Sequence, residues 1–137
     1  MAIVAYLTHP MGEADEDGGS LRGDNVANAM QWFKFLVMTT RWCITCPWFV
    51  YIAAVDDVFH RPRAMRDQIE LIGRSDLVVM CGGRVSPHME LEKNHAQRRI
   101  REAIPVLDLT TLGVMPPWGD KDQVGQDIVR LAKSLGI

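Results

Sequence analysis

The stretch Ser86-Pro87-His88-Met89-Glu90-Leu91-Glu92 carries the densest chemistry in this chain. It follows the apolar run Leu77-Val78-Val79-Met80 and the turn-forming Cys81-Gly82-Gly83. The apolar run reads as a buried strand and Cys81-Gly82-Gly83 as its exit. Ser86 is a favoured helix N-cap, and Pro87 suits the first helical position, where no intrahelical hydrogen bond is lost. A strand, a glycine turn and a capped helix start form an anion site, because free N–H groups and the helix dipole point outward together. Glu90 and Glu92 place carboxylates within the next two turns. A phosphate cradle with a carboxylate beside it suits chemistry on a phosphorylated small molecule. The two glutamates diverge by about 200° around a helix, so only one faces the crevice. Spacing alone does not choose between them.

Other residues compete for roles. His9 and His88 fall on the two loops that follow apolar runs, where a pair of imidazoles can meet a phosphate. A metal would need a third convergent ligand, and the sequence offers none in plain view, so no metal or other cofactor is expected. Arg22 either reaches a phosphate from the long loop before it or lies on the surface. His95 and Arg98-Arg99 read as a solvated helix face. Cys43 and Cys46 form a C-x-x-C, but no second ligand pair stands at zinc-site spacing. Their apolar neighbours predict that both are small core residues. With Cys81 there are three cysteines, an odd number that argues against a disulfide scaffold.

These residues need a frame. Ile3 to Leu7 reads as a first strand, and Thr8 to Asp24 as a Gly- and Asp-rich loop containing Met11-Gly12 and Arg22-Gly23. A helix capped by Asp24 or Asn25 runs to about Thr40, with Val26, Met30, Phe33, Leu36 and Val37 facing in. Trp42 to Cys46 is a second strand, and Pro47 to Val55 a helical turn. A basic entry from His60 leads to a helix ending near Gly73. The third strand spans Asp76 to Met80, the next helix Pro87 to about Arg101, and the fourth strand Ile104 to Leu107. A loop from Thr110 to Gly119 precedes a last helix, Asp122 to Ser134, with Val124, Ile128, Leu131 and Leu135 on one face.

Alternating strands and helices predict a three-layer α/β domain, flavodoxin- or Rossmann-like, around a parallel sheet of four to five strands. In a flavodoxin-like order the ligand crevice opens between the first and third strands, at their carboxyl ends. The loops after Leu7 and after Met80 line it, and they are the two most unusual loops in the chain. Gly83 sits in the second. Chain direction then sorts the acids. Asp67 starts near the crevice, in the helix leading to the third strand, whereas Asp76 lies at the opposite edge as a turn or capping residue. Tyr6 ends the first strand, where its hydroxyl can bond a crevice carboxylate.

At 137 residues the chain fits one domain, residues 1–137, with a real core. Its net charge of −2 points away from nucleic-acid polymers and anionic membranes, and its apolar runs are too short to span a bilayer. The start of the chain carries no basic leader ahead of Ile3, so a cytoplasmic protein is expected. Trp32, Trp48 and Trp118 either serve an interface or belong to the core.

Several motifs, taken in order, resemble the nucleoside 2-deoxyribosyltransferase-like superfamily. They are Tyr6-Leu7-Thr8-His9-Pro10-Met11-Gly12, Arg22-Gly23 with Asn25, Ser75-Asp76-Leu77-Val78-Val79, Ser86-Pro87-His88-Met89-x-x-Glu92-x-x-x-Ala96, and Ile104-Pro105-Val106. The likeness runs from about Ile3 to Asp108 and is greatest to a short branch of phage and bacterial proteins. The chain is also similar to the 2′-deoxynucleoside 5′-monophosphate N-glycosidases and the cytidylate N-glycosidases. The resemblance implies that Glu92 is the nucleophile, that Tyr6 positions it, and that Ser86 binds a 5′-phosphate. Substrate contacts are also expected for Met11, Gly12, Arg22, Asn25 and Gly83, and for His9 and His88 from their places on the two crevice loops. The family's acid/base aspartate aligns with Gln68, with Asp67 one residue earlier, so this chain departs from the pattern there. His9 and His88 depart as well, since relatives often carry small residues at those positions.

The implied reaction breaks a base–sugar bond. A carboxylate beneath the ring stabilises the oxocarbenium-like charge at C1 and captures it covalently, and water then releases the sugar. The expected function is hydrolysis of a (deoxy)nucleoside 5′-monophosphate. The alternatives are base exchange between deoxynucleosides and a nucleotide-binding module without turnover. The partners expected are a nucleotide or nucleoside and, by the same resemblance, further copies of this chain in a homodimer or larger assembly.

Overall fold

A computed structural model of the chain describes residues 2–10, 22–55, 60–98, 102–117 and 119–137, with backbone alone at 22, 23, 52, 53 and 55. The strands are β1 (Val4–Thr8), β2 (Cys43–Thr45), β3 (Leu77–Met80) and β4 (Val106–Asp108). The helices are α1 (Arg22–Thr39), α2 (Trp48–Val55), α3 (Arg61–Ile72), α4 (Pro87–Gln97) and α5 (Lys121–Ser134). All strand pairs are parallel, in the order β2-β1-β3-β4. The chain moves from β1 to one side, then crosses to the other. The topological switch point therefore lies between β1 and β3, where such sheets open a crevice at their carboxyl ends.

Strand alternation assigns the layers. Ala5, Leu7, Leu77, Val79 and Leu107 face one way and pack with Ala29, Trp32, Phe35 and Leu36 of α1 and Ile128 and Ala132 of α5. Tyr6, Val78 and Met80 face the other way and meet Ile72 of α3 and Met89 and Ala96 of α4. Burial on both faces explains why β3 reads as an unbroken apolar run. The result is a three-layer α/β fold with a four-stranded sheet. Among the described residues no helix is long and apolar enough to cross a membrane.

Several expectations change. Helix α1 begins at Arg22, so Asp24 and Asn25 lie within its first turn and do not cap it. Met30 and Val37 are exposed, and the inward face is Asn25, Ala29, Trp32, Phe35 and Leu36. Leu131 and Leu135 are likewise exposed, and α5 buries Gly125, Ile128 and Ala132. The two helices meet closely at one point: a Cβ at Gly125 would lie 2.4 Å from Thr39 Cβ, so no side chain fits there. Helix α4 ends at Gln97, short of Arg101. Strand β4 starts two residues later and ends one later than expected, because pairing starts where Val78 N–H donates to the Pro105 carbonyl. Trp32 is core: it is fully buried and its Nε1 donates to the Val114 carbonyl at 2.8 Å. Cys43 is exposed, so only Cys46 of the C-x-x-C belongs to the core. Asp76 does close the amino edge, its carboxylate accepting from Val4 N–H at 2.8 Å.

Candidate active site

Three segments converge at the carboxyl edge: the ends of β1 and β3, and the first turns of α4. Gly82 and Gly83 adopt positive φ, +110° and +82°, which a side chain would strain. A Cβ at Gly82 would also sit 2.7 Å from His9 Nε2 and from Pro10 Cδ. The β3 exit is thus pressed against the β1 exit, and His9 is the wedge between them. His9 is buried, with Nδ1 at 2.6 Å from the Pro10 carbonyl. Gly83 packs in the same way on Val114, after β4.

Ser86 is extended (φ −83°, ψ 166°) and caps α4. Its Oγ accepts from Met89 N–H at 3.4 Å, and its own N–H donates to Met89 Sδ at 3.4 Å. Helix phase separates the glutamates left open by spacing. Met89, Glu92 and Ala96 face inward, while Glu90 is exposed. Glu92 is only 3% exposed. Its Oε1 accepts from Trp48 Nε1 at 3.1 Å and lies 3.6 Å from His88 Nε2. His88 in turn packs against Trp48 at a tilt of 54°, ring centroids 5.2 Å apart, and its Nδ1 is 3.2 Å from Ser86 Oγ.

Tyr6 approaches from the sheet beneath. Its hydroxyl donates to Gln68 Oε1 at 3.0 Å. Burial pushes the phenol pKa well above its ordinary value, and the neighbouring Glu92 charge raises it further. Tyr6 therefore stays neutral beside the carboxylate, with its proton given to Gln68. Cys46 lies close by, its thiol pushed up by burial and then by Glu92, so it stays protonated. Burial does the same to Cys81. Neither behaves as the low-pKa thiolate of a redox pair. Among the described residues no group of three or more His, Cys, Asp or Glu is arranged to hold a metal.

The α3 residues separate sharply. Gln68 is fully buried and turned to Tyr6. Asp67 faces α2, where Tyr51 hydroxyl donates to Oδ2 at 2.5 Å and Arg63 Nε lies at 3.6 Å. The Tyr51 bond lowers the Asp67 pKa, and the arginine charges assist. Asp67 is thus tied to Glu92 only indirectly, through Tyr51 and Trp48, whose rings are 6.4 Å apart. Asn25 is buried in the first turn of α1, and its Nδ2 has no hydrogen-bond partner among the described residues. Met11, Gly12 and Trp118 lie outside the described residues, as does the Arg22 side chain.

Trp48 is the main addition that sequence reasoning missed. It follows β2 directly, which places it on the same carboxyl edge. That position was the available signal. A hollow of 730 Å³ opens at the amino edge, lined among others by Ile3, Trp42, Arg41, Arg130 and Lys133. Its cations are surface groups, and Arg130 is engaged by Asp127 at 3.1 Å.

No protein-family model, curated protein or solved structure matches the chain. Ser86, His88 and Glu92 have the connectivity of a hydrolase triad. An acyl-transfer serine, however, needs an oxyanion donor, commonly the N–H of the next residue, and Pro87 has none. Ser86 is also 1% exposed and occupied as a cap. The carboxylate is the better nucleophile: it is buried and held by Trp48 beside neutral Tyr6.

Proposed function

We propose that this protein is an N-glycosidase that hydrolyses the base–sugar bond of a (deoxy)nucleoside 5′-monophosphate, with Glu92 as nucleophile. The observation that carries the reading is Glu92 itself, a 3% exposed carboxylate on α4, six positions after the Ser86 cap. The rise from Ser86 to Glu92 is about 9 Å. Helix side chains lean toward the N-terminus, so the carboxylate falls back toward Ser86. A phosphate at the cap and a ribose C1 above Glu92 suit that spacing.

In this mechanism Glu92 Oε attacks C1 while the C1–N bond breaks and its electron pair leaves with the base. Trp48 and Tyr6 hold the carboxylate in place, and Ser86 and the helix N-terminus hold the phosphate. Water then cleaves the glycosyl ester, its oxygen bonding to C1 and its released proton going to the departed base, which returns Glu92 as a carboxylate. Asp67 is held ionised against Tyr51 and Gln68 carries no acidic proton, so α3 supplies no resting acid for the base. The resemblance further suggests a cytoplasmic homo-oligomer. Exposed Met30, Val37 and Met38 lie on one face of α1 and offer apolar surface to a second copy.

Gln68 in place of an acid favours a second reading, a nucleotide-binding module without turnover. The test is base release from a panel of nucleotides, nucleosides and NAD, read by mass spectrometry, for wild type and Glu92→Gln. Free base from wild type alone supports the hydrolase. Ligand-induced thermal stabilisation in both proteins, without base release, supports the module. Product formed only when an acceptor base is added supports base exchange.

A further inference from the structure

His88 stands between the two halves of the site. Ser86 Oγ lies 3.2 Å from its Nδ1, and Glu92 Oε1 lies 3.6 Å from its Nε2. The side chain is 12% exposed and is clamped against Trp48. It therefore joins the end of α4 where an anion binds to the carboxylate that reacts. A buried group on the same side also points to a ligand. Thr8 follows Tyr6 by two residues on β1, so alternation puts it on the same face, one step nearer the carboxyl edge. Thr8 is fully buried, and its Oγ1 has no hydrogen-bond partner among the described residues.

Resting on the N-glycosidase reading, we infer that His88 is the specificity-determining residue that makes this site select a phosphorylated substrate. Its imidazolium bridges the 5′-phosphate, through Nδ1–H, and the Glu92 carboxylate, through Nε2–H. The physical reason is charge. A phosphate at Ser86 and a carboxylate at Glu92 repel each other across a poorly solvated helix face. The neighbouring arginine, Arg84, is exposed, so it does not fill the gap between them. With its hydrogen on Nε2, turned toward Glu92 at 3.6 Å, a neutral imidazole has an acceptor at Nδ1, suited to the Ser86 hydroxyl. An arriving phosphate needs a donor there instead. His88 therefore takes up a proton from solvent, and the Ser86 hydroxyl turns its hydrogen to the phosphate.

His9, with Nδ1 at the Pro10 carbonyl, is the other imidazole at this edge, and His9→Gln is the control for proton uptake; the remaining groups around this pair stay neutral or are engaged elsewhere. Tyr6 from β1 and Cys46 after β2 have raised pKa values and stay neutral. Trp48 from α2 carries no titratable proton, Gln68 from α3 is neutral, and Asp67 is turned to Tyr51. Nor is His88 the acid for the leaving base. In retaining glycosidases the two groups stand about 5–5.5 Å apart across the sugar. His88 lies 3.6 Å from Glu92, on the same flank.

The test is calorimetric binding of ribose 5-phosphate and of ribose to the whole protein, in buffers of different ionisation enthalpy. Wild type, His88→Gln and His88→Lys are compared. Wild type is expected to take up about one proton with ribose 5-phosphate. His88→Gln is expected to lose that uptake and about tenfold to a hundredfold of the preference for ribose 5-phosphate over ribose. His88→Lys keeps a cation and is expected to restore the preference without proton uptake. Ribose 5-phosphate binding without proton uptake in wild type, or an unchanged preference in His88→Gln, overturns the inference. So does a failure of wild type to bind ribose 5-phosphate. Base release from matched monophosphates and nucleosides is the second arm, where the kcat/KM ratio is expected to fall in His88→Gln. If no base is released from any nucleotide, the hydrolase reading fails on its own, and the proton-uptake arm still decides the role of His88.

Discussion

A buried carboxylate is stable only where donors replace its lost water. Glu92 has the Trp48 indole, His88 and the neutral Tyr6 phenol around it. Trp48→Phe keeps the aromatic body and removes one donor. We expect base release to fall by about tenfold to a hundredfold, and the melting temperature to fall with it because the buried carboxylate loses a donor, measured by steady-state kinetics and calorimetry. Asp67 offers a separate test. Its pKa is lowered mainly by the Tyr51 hydroxyl, so the contact stabilises the fold above the unfolded carboxylate pKa and loses that contribution as pH falls through the folded value. Tyr51→Phe is expected to raise the Asp67 pKa toward the ordinary carboxylate range, read by NMR titration. The cysteines give a third. Cys43 is exposed, whereas Cys46 and Cys81 are buried with raised pKa values. A thiol reagent at neutral pH should label Cys43 in the native protein and reach the other two only on unfolding; labelling of Cys46 at a comparable rate would contradict its placement in the core. Ser86 was legible from local spacing, because a cap needs only its neighbours. The choice of Glu92 over Glu90 was not, because it depends on which side of α4 meets the sheet.

At the scale of elements, the apolar runs and the glycine turn marked the strands and the crevice well, since burial on both faces leaves a run of apolar residues. Helix faces were less legible. The α1–α5 contact is made by Gly125 against Thr39 and by alanines, residues that carry little hydrophobic signal. The β3-to-α4 connection makes a sharp prediction. Gly82→Ala imposes a side chain at φ +110° and 2.7 Å from His9 Nε2. It should destabilise the fold by more than Ser86→Ala, which removes a cap worth about 1 kcal/mol. Chemical denaturation of the two variants ranks them.

For the whole molecule, the parallel sheet gathers residues that are distant in sequence at one edge. Tyr6, Trp48, Gln68, His88 and Glu92 come from β1, α2, α3 and α4. No window of sequence contains that set, which is why Trp48 read only as core or interface. The same scale holds the assembly. With Trp32 in the core, the exposed apolar side chains of α1 are the surface we propose for a second copy, Met30 being 56% exposed. Sedimentation should show a dimer or larger, and Val37→Lys should shift it toward monomer.

The central claim is that Glu92 attacks a sugar carbon. The most direct measurement is mass spectrometry of wild type quenched during turnover of a nucleoside 5′-monophosphate, with Glu92→Gln beside it. A sugar-phosphate adduct on the peptide that carries Glu92, with free base released and neither product from the variant, is the predicted result. Equal base release by Glu92→Gln, or an adduct on another residue, would contradict it.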